Sequence, residues 1–209
     1  MILIGQFDSP FVRRVGITMR LYDLPFTHKP WSTFGEADKI RPYNPLLRVP
    51  VLVLDDGVAL VESQSILDHL DRLVPPEKAL MPRKGPPRTA MQRVCALATG
   101  IGDKAVSLFY ELRLHEQASD FYAARCRNQI TETLALLERE RAARPGRYWF
   151  GDEMTQADVT TACILRFLNE AHPGLADMKG VPTLAHDINA LESLAVFREI
   201  SQAFIPPKS

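Results

Sequence analysis

Two serines stand where they could do chemistry. Ser9 is followed by Pro10, which reads as a helix N-cap and first helical position, and Ser63 follows Glu62 at the head of a run whose Ile66, Leu70 and Leu73 recur at helical spacing. A serine hydroxyl is far too weak an acid to serve as a general base, so the chemistry open to it is hydrogen-bond donation to a bound anion. The free N–H groups of a helix start can hold a carboxylate in the same way. The plainer use of both residues, capping a helix, stays open at this point. Other chemistries have less to work with. Cys95, Cys126 and Cys163 form neither a CxxC pair nor a zinc pattern, and His28, His69, His115, His172 and His186 are scattered without metal-ligand spacing, so no metal is implied. There is no Gly-x-Ser-x-Gly elbow, phosphate loop or complete dinucleotide fingerprint.

The elements that must position those serines follow from apolar runs and breakers. Ile2 to Ile4 reads as a short buried strand, Phe11 to Tyr22 as an amphipathic helix stopped before Pro25, and Phe26 to Pro30 as a second strand, together a right-handed βαβ unit with parallel pairing. A helical or irregular stretch around Glu36 to Pro42 comes next. Val51 to Leu54 and Val58 to Val61 flank Asp55, Asp56 and Gly57, which predicts an antiparallel hairpin. The helix capped at Ser63 ends at Pro75 and Pro76, and a connector rich in Pro and Gly runs to Arg88.

Beyond it the pattern is helical. Met91, Val94, Ala98, Ile101, Ala105, Leu108 and Leu112 make one long stripe, and Ile130, Leu134 and Leu137 belong to a second helix. Thr155 to Asp158 has capping-box spacing, with Met154 and Val159 at the staple positions, and one or two short helices are expected after Pro182. The last residues are expected to be loose. The expected domains are 1–76, a linker at 77–88, and an all-helical domain at 89–209.

Composition limits the partners. Among 209 residues, 25 basic and 25 acidic side chains cancel and are interspersed, which argues against nucleic acid and against an anionic membrane surface. The apolar run at Ile2 is broken by Gln6, Asp8 and Pro10, so it reads as neither a secretory signal nor a membrane span. A soluble protein of the reducing cytoplasm is expected.

The order βαβ, hairpin, helix, Pro-rich connector and helical domain, with the residues at its junctions, resembles the glutathione transferases. The pieces are Ser9-Pro10-Phe11 continued by Val12 and Arg13-Arg14-Val15, Asn44-Pro45 leading to Arg48-Val49-Pro50-Val51, Glu62-Ser63, and Gly151-Asp152 through Thr155-Gln156-Ala157-Asp158. The Ser-Pro-Phe start is most similar to serine-type members, such as the plant tau class and bacterial homologues. Omega-type members carry Cys where Ser9 stands, and zeta-type isomerases carry a denser Ser-Cys-Ser run that is absent here.

The resemblance implies a fold with an α/β thioredoxin-like N-terminal domain and an all-α C-terminal domain. It implies glutathione as cosubstrate, and Ser9 as the catalytic donor to its sulfur. A hydrogen bond to a charged group, worth roughly 1.5–3 kcal/mol, plus about 0.3–1 kcal/mol from a helix N-terminus, makes a thiol pKa shift of about one to two units accessible. The resemblance also implies a cis Val49-Pro50 bond that exposes the Val49 backbone to the cysteinyl segment, although Pro50 could equally start an edge strand. Ser63 is then expected to receive the γ-glutamyl carboxylate, Glu62 the ammonium group, and Arg48 the glycyl carboxylate. Phe34, Phe109, Tyr110 and Arg113 are the candidates for a second, less polar substrate between the domains. A homodimer packed partly through the long helix is expected. The implied activity is conjugation of glutathione to a small electrophile; a noncatalytic interaction protein of the same fold and a glutathione-dependent isomerase or dehalogenase are the alternatives.

Overall fold

The computed structural model describes residues 1–176 and 179–206. The chain divides into two compact units, one formed by Met1–Arg88 with Leu194–Ile205, the other by Thr89–Ser193.

In the first unit, β1 (Ile2–Ile4), α1 (Pro10–Leu21), β2 (Thr27–Lys29), α2 (Ala37–Ile40), β3 (Val51–Val53), β4 (Ala59–Val61) and α3 (Ser63–Arg72) build a four-stranded sheet with its helices. The strand order is β2-β1-β3-β4. β1 runs parallel to β2, with Leu3 opposite His28, and antiparallel to β3, with Leu3 opposite Leu52. Strand alternation then sorts the core: Leu3 and Leu52 pack with Val12, Val15, Ile66, Leu67 and Leu70 of α1 and α3, while Ile4, Val51 and Val53 turn to Ile40 of α2. A strand buried on both faces must be apolar throughout, as Val51-Leu52-Val53 is. The hairpin turns where expected, through Gly57 at φ 89° and with the Val58 N–H donating to Asp56 Oδ1 at 3.0 Å. Its strands are one residue shorter than expected at the turn end, because the Leu54 carbonyl accepts from the Gly57 N–H and the Val58 N–H donates to Asp56, which leaves the Leu54–Val58 pair a single ladder bond.

Two details of α3 differ from the sequence expectation. Glu62, not Ser63, occupies the N-cap position, and Ser63 is the first residue of the helix. Leu73 is not on the buried face: it caps the C-terminus and stays exposed, while Leu67 fills the core beside Ile66 and Leu70.

The short α8 (Ala195–Glu199) returns to this unit from the far end of the chain and packs on α1. Buried Arg13 fastens it: its Nε donates to the Ile200 carbonyl and its Nη2 to the Phe197 carbonyl, both at 2.8 Å.

In the same unit Tyr22 donates its hydroxyl hydrogen to Asp71 and accepts from the Leu80 N–H at 2.6 Å. Burial pushes the Asp71 carboxyl up to about 6, against the lowering effect of the Tyr22 hydrogen bond. A carboxyl whose folded pKa is raised binds its proton more tightly when folded. Its contribution is therefore fully present below the unfolded value and is lost as pH rises through about 6. A shift of about two units corresponds to about 3 kcal/mol. Asp71→Asn, which does not titrate, is expected to gain roughly that much relative to the parent between about pH 4 and pH 7. Paired denaturant titrations across that range check it, and a constant difference would contradict it.

The second unit holds α4 (Pro86–Leu114), α5 (Asp120–Ala142), α6 (Gln156–Ala171) and α7 (Pro182–Glu192). α4 starts inside the Pro-rich stretch, since prolines are tolerated in a first helical turn where their missing N–H has no partner to lose. Its stripe is buried from Met91 through Leu108, but Leu112 is 42% exposed. Arg141 of α5 reaches Asp187 of α7 at 2.6 Å and donates to the Gly146 and Arg147 carbonyls, clasping the α5–α6 loop. The capping box at Thr155 and Asp158 forms, and Asp158 also accepts from the buried Trp149 N–H at 2.9 Å. Cys95, Cys126 and Cys163 are free and buried. Among the described residues no helix is long and apolar enough to cross a membrane. The terminal residues 207–209, where looseness is expected, lie outside the described residues.

Candidate functional site

The carboxyl end of β1 is where the first unit gathers its polar functions. Gly5 ends the strand at φ 125°, and a Cβ there would lie 2.5 Å from Val12 and 2.8 Å from Val49. No other residue type lets α1 and the Val49 segment close on β1 so tightly. Ser9 sits three residues before Val12, with extended backbone at φ −69° and ψ 121°. Its Oγ accepts from the Val12 N–H at 3.4 Å, a long bond that leaves the hydroxyl hydrogen for another acceptor. Ser9 is half-buried, at the positive end of a 12-residue helix.

The Val49–Pro50 peptide bond is cis. The β1–β3 ladder begins at Val51, so the N–H and C=O of Val49 lie outside it. The approach to this bond is braced by buried Asn44, whose Nδ2 donates to the Arg48 carbonyl at 2.8 Å and whose Oδ1 accepts from the Leu46 N–H at 3.1 Å. Arg48 itself is exposed.

At the start of α3, Glu62 is a non-glycine residue at φ 70° and ψ 117°. Such a conformation costs on the order of 1–3 kcal/mol and persists where its surroundings hold it, commonly at ligand sites. Glu62 is exposed while Ser63 is fully buried. Ser63 Oγ accepts from Arg14 Nη2 at 2.8 Å and donates to Glu62 Oε1 at 3.3 Å. A buried arginine of α1 therefore stands directly beneath the helix start, adding positive charge to the N–H groups there. Arg14 is the member of this group that sequence reading passed over as a site residue. Its signal was present, a second arginine in an otherwise apolar helix, but Arg13 beside it does structural work and nothing local separates the two.

The arrangement offers one half-buried hydroxyl at a helix N-terminus, one free backbone segment, one helix start backed by a guanidinium, and one exposed carboxylate. Chemically it suits an extended ligand with an anionic end, an ammonium group and a middle that a hydroxyl can hydrogen-bond. Among the described residues no group of three or more His, Cys, Asp or Glu is placed to hold a metal ion.

The residues named for a second substrate fall in different places. Phe34 lies in the first unit, half exposed, with its N–H donating to Ser32 Oγ at 3.2 Å. Phe109 and Arg113 line a cleft of about 450 Å³ within the second unit, joined there by Arg127 and His172. Tyr110 does not line that cleft; its ring meets Phe109 edge-on at 6.4 Å.

The family model of the glutathione S-transferase N-terminal domain matches residues 3–78, and that of the C-terminal domain matches residues 120–186. Over 197 residues the chain is 28% identical to an uncharacterised GST-like protein, YibF, of Escherichia coli, covering 92% of this chain and 96% of that one. It is 26% identical to a probable maleylacetoacetate isomerase of Drosophila melanogaster, covering 94% and 86%. The structure superposes on a glutathione S-transferase of Methylobacterium radiotolerans, solved in complex with glutathione sulfonate, with a TM-score of 0.89 and 28% identity over 100% of this chain and 99% of that one. Two domain models in the family's order, a mixed four-stranded sheet followed by helices, and full-length likeness to solved members place this chain in the glutathione S-transferase family.

Proposed function

We propose that this protein binds glutathione in its first unit and uses the thiolate to attack a small electrophile, as a serine-type transferase. The observation that carries the reading is the convergence of Ser9, the Val49 backbone and the Arg14-backed start of α3 on the carboxyl end of β1. Glutathione has the matching parts. Its cysteinyl backbone pairs with Val49 in the manner of an added strand. Its γ-glutamyl carboxylate is held by the N–H groups of α3 and by Ser63, and Glu62 accepts from its ammonium group. Arg48 pairs with the glycyl carboxylate. Ser9 then donates to the sulfur. The thiol proton passes to solvent, the sulfur forms a bond to the electrophilic carbon, and the electron pair leaves on the departing group or on the activated acceptor. Phe109 and Arg113, which share the cleft of the second unit, serve the second substrate. The enzyme acts in the cytoplasm as a homodimer.

A second reading, a glutathione-dependent isomerase, is favoured by likeness to maleylacetoacetate isomerases. In that reaction the thiolate adds to carbon and is then expelled, so glutathione is regenerated. Turnover of chemically distinct electrophiles, followed with glutathione present and absent and with glutathione consumption measured, separates the two: stoichiometric loss marks conjugation, undiminished glutathione marks isomerisation.

Glu62→Gly tests the binding mode. Glycine adopts φ 70° freely, so the variant is expected to gain about 1 kcal/mol in stability. It also loses the ammonium's partner, and glutathione affinity by calorimetry is expected to fall about tenfold. Unchanged affinity would remove Glu62 from the site.

A further inference from the structure

We infer that the cleft in the helical unit binds small apolar molecules bearing a carboxylate. Its wall is apolar: Leu108 and Phe109 are buried, and Leu112 continues them as an exposed edge. Its polar functions are two guanidinium groups, Arg113 from the end of α4 and Arg127 from α5, together with His172 at the end of α6. No acidic side chain lines it among the described residues. Neither arginine has a carboxylate partner among those residues. Arg113 stacks over the Phe109 ring at 5.9 Å. On α4, Glu111 is committed elsewhere, accepting from the Ser119 N–H at 2.6 Å and lying 3.0 Å from His115 Nδ1.

The surplus of positive charge is felt locally. His172 Nε2 lies 2.8 Å from the Ala105 carbonyl, and its ring meets Phe109 edge-on at 6.1 Å. Burial first, then the Arg127 charge, lowers its pKa despite that hydrogen bond. His172 therefore stays neutral at neutral pH, with its other ring nitrogen an acceptor. Planar guanidinium forks match a planar carboxylate, and an aromatic and aliphatic wall beside them matches a hydrocarbon body. A volume of about 450 Å³ suits a small organic acid rather than a peptide or a long lipid chain.

As the second-substrate site this cleft rests on the function proposed above, narrowing its substrates to organic acids; as a binding site it does not.

Ligand-observed NMR titrations use three probes that glutathione does not attack: hydrocinnamate, its neutral amide and acetate. Hydrocinnamate is expected to bind about tenfold tighter than the amide at low salt, with the preference shrinking as salt screens the exposed arginines. Acetate, lacking the apolar body, is expected not to saturate. Arg113→Gln and Arg127→Gln, both at exposed positions, are each expected to weaken the acid about threefold and leave the amide unchanged. Leu112→Asn is expected to weaken acid and amide alike. Equal affinity for acid and amide, or an acid preference that survives in the double glutamine variant, would overturn the proposal. Glutathione is titrated separately into the same samples. Its failure to bind would count against the proposed function while leaving the probe result standing, and a missing acid preference with intact glutathione binding would do the reverse.

Discussion

Ser9→Ala is expected to lower conjugation at neutral pH by roughly ten- to thirtyfold while changing glutathione affinity far less. A free thiol with a pKa of about 8.5 is only a few per cent thiolate at pH 7. In the proposed binding mode a charge-assisted hydrogen bond from the Ser9 hydroxyl stabilises the anion by about 1.5–3 kcal/mol, and the alanine variant loses it. The other proposed anchors, the Val49 backbone and the start of α3, are untouched, so binding is expected to persist. The loss has a pH signature: activities of parent and variant converge above the free thiol's pKa, where ionisation needs no assistance. The cap contributes little to the outcome, because the Val12 N–H reaches Ser9 Oγ only at 3.4 Å. Ser9→Thr keeps a hydroxyl and a cap and is expected to retain most activity. A uniform loss of activity at every pH would point to a misplaced ligand instead of a weakened thiolate.

Asp158→Ala is expected to be the most destabilising of the substitutions considered, by about 3 kcal/mol or more. The carboxylate accepts from the Thr155 N–H at 2.8 Å, the Thr155 hydroxyl at 2.6 Å and the Trp149 N–H at 2.9 Å, and is 2% exposed. Truncation leaves the buried Trp149 N–H and the half-buried Thr155 donors without their acceptor. A lost helix cap alone would cost about 0.5–2 kcal/mol; the excess comes from Trp149, which ties the preceding loop to the helix start. Burial raises the Asp158 pKa although all of these hydrogen bonds lower it, so the desolvation cost of the charge is already present in the folded state. Asp158→Asn, which keeps one acceptor oxygen, should fall between. Chemical denaturation measures both, and an alanine variant within 1 kcal/mol of the parent would contradict the assignment.

Local signals carried most of the architecture. Ser9-Pro10, Asp56-Gly57 and Thr155 to Asp158 each specify a backbone geometry within a few residues, and each appears in the structure where its spacing put it. The misses share one cause, contact with a distant part of the chain. Ser63 looked like a cap because its hydroxyl was read against its own backbone; in the fold that hydroxyl belongs to Arg14, 49 residues away. Arg13 holds backbone carbonyls 184 and 187 positions later, which no window of sequence contains. Leu73 and Leu112 continue apolar periodicities past the point where another element covers them, so periodicity alone overextends both stripes. Arg113 is a sequence candidate from its position on the long helix, and Arg127, which lines the same cleft, comes from a different helix and carries no mark in sequence.

The central claim is that this protein holds glutathione as a thiolate at Ser9. An ultraviolet difference titration of the bound thiol against pH measures it directly. The account predicts an apparent pKa about one to two units below that of free glutathione in the parent protein, returning toward the free value in Ser9→Ala. Saturating, calorimetrically confirmed binding with the thiol pKa unshifted in the parent would contradict it.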